Sequence, residues 1–251
     1  MALAAGDPAW AYSLLQESAR RLTNRLEAPY ALGWAAFGMG RVDEATRVMA
    51  TVAASGGESD LSRAASTFLD MARLATNTAP TAADASRIQK ILDAEPTHGA
   101  ALYAYGWTAE VQGQYANART AYEKLLGRAS GFTPAMRQMT ILCSERLGDD
   151  AKALELGAKA RQAYPRDDIL AAALGKAVAR RGDFGYAVQL LTEASRTRTR
   201  DASLFYHLGL AQEGLKKNAE AKAAFEKSVG LEPDAPFAED AKKRLEKLKA
   251  G

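Results

Sequence analysis

Cysteine is almost absent: Cys143 is the only one in 251 residues. An internal disulfide is therefore excluded, and so is a cysteine-rich metal site. Histidine is nearly as scarce, with His98 and His207 alone. Neither lies in the spacing of a zinc protease or a hydrolase. No GxxxxGKS/T or GxGxxG run occurs, which removes the common phosphate-cradling loops. No apolar run approaches the roughly 18 residues of a membrane span, and no signal peptide is recognisable at the start. An excess of one charge is lacking too, since a net charge of +3 is too small to imply nucleic acid or a membrane surface. β-Branched residues are sparse and alanine dominates the apolar fraction, which favours helix. No catalytic constellation, metal site or cofactor site emerges.

What the chain does have is spacing. Ala118, Ala153, Ala187 and Ala221 follow one another at steps of 35, 34 and 34. Gly113, Gly148 and Gly182 each stand five residues before one of these alanines, and Pro96, Pro165 and Pro233 recur at about double the step. Such self-similarity signals an array of stacked structural units. The last unit shows the logic best. Gly209 and Ala221 are small where two antiparallel helices approach closely. Phe225 fills the space beside them. Pro233 stops the second helix, since it lacks an N–H and disfavours helical geometry before it. A hairpin of this kind cannot bury its own apolar face and needs a neighbour on each side.

With Phe205, Leu208, Gly209, Ala221, Phe225 and Pro233 in place, residues 202–235 resemble a tetratricopeptide repeat (TPR). The one clear departure is Gln212, where the family carries an aromatic. The resemblance implies an all-α, right-handed superhelical solenoid of helix hairpins. Repeats are expected over 26–57, 58–98, 99–133, 134–167, 168–201 and 202–235, after a partial repeat at 1–25 and before a capping helix at 236–251. Unit 99–133 carries one extra residue, placed at Thr133. Unit 134–167 departs at Arg137, Thr140 and Gly157, so looser packing is expected there. Unit 58–98 is about seven residues longer than the rest and reads as a hairpin with an extended first helix. Gly6, Ala11 and Leu15 fit the end of one first helix and a complete second helix. A parent protein extending upstream by at least one hairpin is therefore expected. Helix 236–249 has Phe237, Ala241, Leu245 and Leu248 on one face and charge on the other, as a solvated cap requires.

For function, the resemblance implies a non-enzymatic scaffold that holds a partner peptide or helix in a concave groove. The family's groove positions fall here on Tyr30, Trp34, Phe37, Tyr103, Trp107, Glu110, Gln138, Leu142, Glu145, Arg146, Lys176, Arg180, Tyr206, His207, Leu210 and Glu213. Arg73 is a further candidate from the atypical unit. The list is aromatic towards the N-terminus and basic in the middle, so a partner with an apolar part and an acidic part is expected. The Lys and Asn pattern of chaperone adaptors is missing from the matching positions, which argues against capture of a chaperone tail. The alternative is a structural module that associates with itself or sits in a larger envelope, secretion or biosynthetic complex. Nucleic acid is the weakest option, resting on arginines such as those of SRTRTR (195–200). The pairs Asp149–Asp150 and Asp167–Asp168 suit helix starts, where carboxylates meet exposed N–H groups.

Overall fold

The alanine-rich segments form fourteen helices among the described residues, and none of those residues lies in a strand. The computed structural model describes residues 8–21, 25–55, 57 and 59–250. Gly6 and the side chain of Ala11 lie outside that description. α1 (Pro8–Arg21) comes first. Six helix pairs follow: α2 (Glu27–Gly38) and α3 (Val42–Ser55), α4 (Asp60–Leu74) and α5 (Ala82–Ala94), α6 (Gly99–Val111) and α7 (Tyr115–Arg128), α8 (Thr133–Leu142) and α9 (Asp150–Ala163), α10 (Asp168–Arg180) and α11 (Phe184–Ser195), α12 (Ala202–Gly214) and α13 (Asn218–Leu231). α14 (Ala238–Ala250) closes the series. The chain forms two compact units, Met1–Ala135 and Met136–Gly251.

Local chemistry starts and ends these helices. Asp149, Asp167, Asp183 and Asp201 each accept an N–H from the first turn of the helix that follows. Each satisfies one of the donors a helix start leaves unpaired. Between the helices of a pair, Gly40, Gly113, Gly148 and Gly182 have positive φ, which glycine adopts without a Cβ penalty. In α12–α13 the corresponding residue is Lys216, at φ 59.

The small residues of the repeat have the expected role. A Cβ on Gly209 would sit 2.6 Å from the Phe225 ring, and one on Gly106 would sit 2.4 Å from the Tyr122 ring. Gly33 faces Met49 and Gly175 faces Leu191 in the same way. Phe225, Tyr122, Met49 and Leu191 are fully buried, so these four hairpins each close on one glycine and one large side chain.

Two features differ from expectation. The added length of unit 58–98 lies mainly between its helices, in residues 75–81, rather than in an extended α4. The second difference concerns the extra residue. Thr133 is the first residue of α8, and the insertion is taken up further on, as a π-helical turn at Cys143–Leu147. A π turn holds one residue more than an α turn, so it absorbs a single insertion without ending the helix. Thr140 thereby moves to the close-approach position and Gly157 lies opposite it. A Cβ on Gly157 would meet the Thr140 methyl at 2.9 Å and Leu174 at 2.7 Å. Small and large have exchanged helices, and this contact is tight rather than loose.

Candidate partner-binding face

The first helices of unit 1 bring aromatic residues together. Phe37 is fully buried, at 5.3 Å between ring centroids from Phe68 and 4.5 Å from Phe132. Trp34 meets Phe68 and the His98 ring edge-on, each at 5.1 Å. Tyr103 meets Phe132 edge-on at 5.1 Å. Edge-to-face contacts at these distances suit the ring quadrupoles. Phe37 therefore belongs to the core, whereas Tyr30, Trp34 and Tyr103 keep part of their surface. His98 caps α6 by accepting the Ala101 N–H at Nδ1, and burial holds its pKa below the ordinary value.

Trp107 is held differently. Its indole N–H donates to the Asn77 carbonyl at 2.8 Å, so the long connector between α4 and α5 fixes the ring while leaving it half-buried. Glu110, three residues on, accepts from the Tyr122 hydroxyl at 3.1 Å. Burial, then the Glu110 carboxylate, raises the Tyr122 pKa well above its ordinary value. Arg73 pairs with Asp70 on its own helix.

In unit 2 the candidates are largely engaged by the protein itself. Gln138 and Leu142 are buried. The displaced register explains Leu142: counted from Thr133, it falls one position past the exposed stripe, and its neighbours Arg137 and Ile141 are the half-exposed residues. Lys176 is only 4% exposed and lies 3.2 Å from Glu145 and 3.5 Å from Asp201. Arg180 reaches Asp150 at 2.6 Å and the Ser144 carbonyl at 3.0 Å. Ser144 belongs to the π turn.

Arg180 also lies 3.3 Å from Nε2 of His207, whose Nδ1 is 2.8 Å from the Ser203 carbonyl. A guanidinium can only donate, so Nε2 accepts and the proton sits on Nδ1. Burial and then the neighbouring Arg180 and Lys176 charges push the His207 pKa down to about 4. Burial raises the Asp201 pKa, but Lys176, the Leu204 N–H and Arg198 outweigh it and leave the group below its ordinary range.

The last three candidates are covered by α14. Tyr206 stacks on Phe237 at 5.0 Å and donates to Asp240 at 2.8 Å. Burial and that carboxylate raise its pKa to about 12. Leu210 packs in a cluster with Leu245 and Leu248, and Glu213 pairs with Arg244. Glu145, Arg146 and Arg180 are the exposed members of the unit 2 set.

Comparison with known proteins bears on this arrangement. A tetratricopeptide repeat family model matches residues 202–235. A second tetratricopeptide repeat model matches 82–134 and 112–168. The chain belongs to the tetratricopeptide repeat family. Among solved structures, YrrB, described as a TPR protein with an unusual peptide-binding site, is 17% identical with a TM-score of 0.54, and the match covers 79% of this chain and 99% of that one. MamA is 19% identical over 61% of this chain and 86% of its own, with a TM-score of 0.47. The Arabidopsis OM64 TPR domain is 23% identical over 46% of this chain and 94% of its own, with a TM-score of 0.41. No curated protein matches the sequence. The likeness to YrrB shows the fold. TPR proteins bind protein partners and are generally non-enzymatic, so this TPR chain has the architecture of a protein-interaction scaffold. Among its described residues no helix is long and apolar enough to cross a membrane.

Proposed function

We propose that this TPR protein holds a segment of a protein partner on the first-helix face of its units, with unit 1 supplying the apolar anchor. The observation that carries the reading is Trp107, fixed through its indole N–H to Asn77 and yet half-buried. A rigid aromatic with an open surface loses little entropy on binding, and tryptophan is enriched among the residues that dominate interface energies. Tyr30 and Trp34 extend the aromatic character of this face. In unit 2, Lys176 and Arg180 already have acidic partners. An acidic partner would therefore have to compete with Glu145, Asp201 and Asp150. The exposed Glu145 and Arg146 set orientation and association rate more than affinity.

The test is to recover the partner with the full chain and titrate it against Trp107→Ala. A loss of about 2 kcal/mol or more is expected if the ring is a central anchor. Unchanged binding by a folded Trp107→Ala variant would remove the first-helix face of unit 1 from consideration.

A further inference from the structure

The second helices of unit 1 carry a feature that the first-helix reading does not use. Two adjoining cavities, each of about 310 Å³, lie among α5, α6 and α7, with Gln89 and Tyr105 in the wall of both. Their chemistry is unusual for so charged a surface. Among the described residues Lys124 is the one charged residue lining either cavity. Arg87, Lys90, Asp93, Arg119 and Glu123 stand on the same two helices without lining either. The polar lining is instead made of side-chain amides and hydroxyls.

Gln89 donates to the Asp93 carboxylate at 2.7 Å, and the other three amides are ordered among themselves. Asn117 donates to Gln114 at 3.1 Å, and Gln114 donates to Gln112 at 3.3 Å. The chain runs one way, ending on the Gln112 amide nitrogen at one side and the Asn117 oxygen at the other. Thr108 is 4% exposed and lines the same cavity as Gln112, and its hydroxyl oxygen has no hydrogen-bond partner among the described residues. A buried hydroxyl without a partner carries a desolvation cost, which a bound donor or acceptor would relieve if a small shift of the wall uncovered the oxygen.

We propose that this double cavity is a second binding site, for an extended, uncharged peptide segment. A side-chain amide offers one donor edge and one acceptor edge, the same pair that a peptide bond offers. Four amides beside a shared tyrosine therefore match a backbone with small neutral side chains. Two cavities that share the Gln89 and Tyr105 wall offer room on both sides of it, which suits a chain running from one to the other. Acidic or basic segments find no counter-charge in the described lining beyond Lys124, since Asp93 reaches it only through the Gln89 amide, and they would lose solvation on entry. A carbohydrate would find none of the carboxylates that best accept from its hydroxyls. This site lies among α5, α6 and α7, and Trp107 does not line it.

Nitrogen-15 NMR titration of the full chain tests it, with capped decapeptides alternating alanine with glutamine, glutamate or lysine, and with cellopentaose. The Gln–Ala peptide should shift the side-chain amide signals of Gln89, Gln112 and Asn117 while leaving the Trp107 indole signal in place. Gln89→Ala and Gln112→Ala alter exposed residues and leave the fold intact. Each should weaken binding by roughly 2- to 10-fold, the worth of one hydrogen bond. Thr108→Val should weaken binding while leaving stability equal or higher, which a purely structural role would not produce. Absence of shifts with the Gln–Ala peptide at millimolar concentration overturns the proposal. So does equal binding of the charged peptides, binding of cellopentaose in their stead, or a response at Trp107 alone.

Discussion

The two units stack the same hairpin in different ways. In unit 1 the first helices meet through rings: Trp34, Phe37, Phe68, Tyr103 and Phe132 touch edge-on or tilted. In unit 2 alanine and leucine fill the core between α10, α11 and α12, and the first helices are tied by Lys176, Arg180, Asp150, Asp201 and His207. Packing between these carbon rings is insensitive to pH. A buried polar network is not, because each member is costly if its partner changes charge. The repeat pattern therefore sets where helices approach and leaves open what joins one hairpin to the next.

The largest effect should come from breaking the ring cluster. Phe68 is fully buried, and Phe68→Ala should cost about 3–5 kcal/mol, read by denaturant unfolding. Phe225→Ala, deep in unit 2, should cost a similar amount. Hydrogen exchange should then show the loss in the unit that carries each change. A cost below about 1 kcal/mol for either would mean that the ring is not the filler described.

Acid should separate the units next. Folded His207 stays neutral down to about pH 4, while an unfolded histidine takes up a proton below about 6.5. Its contribution is complete above pH 6.5, falls as pH drops towards 4 and is constant below. The full loss is up to about 3 kcal/mol. His98 in unit 1 is also held low by burial and acts with the same sign, so the comparison is made with His207→Gln. That variant should flatten the unfolding free energy of unit 2 between pH 6.5 and 4, and an unchanged slope would contradict the assignment.

Close approach gives a smaller contrast. Gly106→Ala drives a methyl into the Tyr122 ring, whereas Gly175→Ala meets chiefly the Leu191 side chain, which can rotate, with the fixed Leu190 Cβ further off at 3.1 Å. The first should cost about 1–3 kcal/mol. The second should cost less, since leucine can move and alanine favours helix by up to about 1 kcal/mol over glycine. Equal melting temperatures for the two variants would show that ring and leucine yield alike. The smallest expected effect is a gain. Lys216 holds a positive φ where the other units use glycine, so Lys216→Gly should stabilise α12–α13 by about 1 kcal/mol.

Much of this was readable in the chain. The alanine steps placed every hairpin from Ala118 onward, and Gly209 with Phe225 revealed the contact that closes one. Three things were not readable. A step of 35 says that one residue is inserted, but not whether a connector or a helix takes it, and Leu142 was misplaced among the groove positions for that reason. Phe37 is buried by Phe132, which is far along the chain and outside the pattern of its own repeat. The charges of Lys176 and Arg180 are consumed by residues from neighbouring hairpins, and a repeat pattern describes one hairpin at a time. Trp107 was named by its position, whereas the Asn77 carbonyl that fixes it lies in the least regular connector.

The π turn at Cys143–Leu147 also bears on how such arrays change length. A single added residue in a helix would rotate everything after it by about 100°, turning buried side chains out to solvent. Here the surplus is spent within one turn, and Asp149 caps α9 as Asp183 caps α11. The helix works as a local phase corrector: later repeats keep their frame, and the lesion stays confined to one loop of backbone. The Ser144 carbonyl, one of the last in this helix and so without a partner inside it, accepts from Arg180, which makes the turn an attachment point for the next hairpin as well.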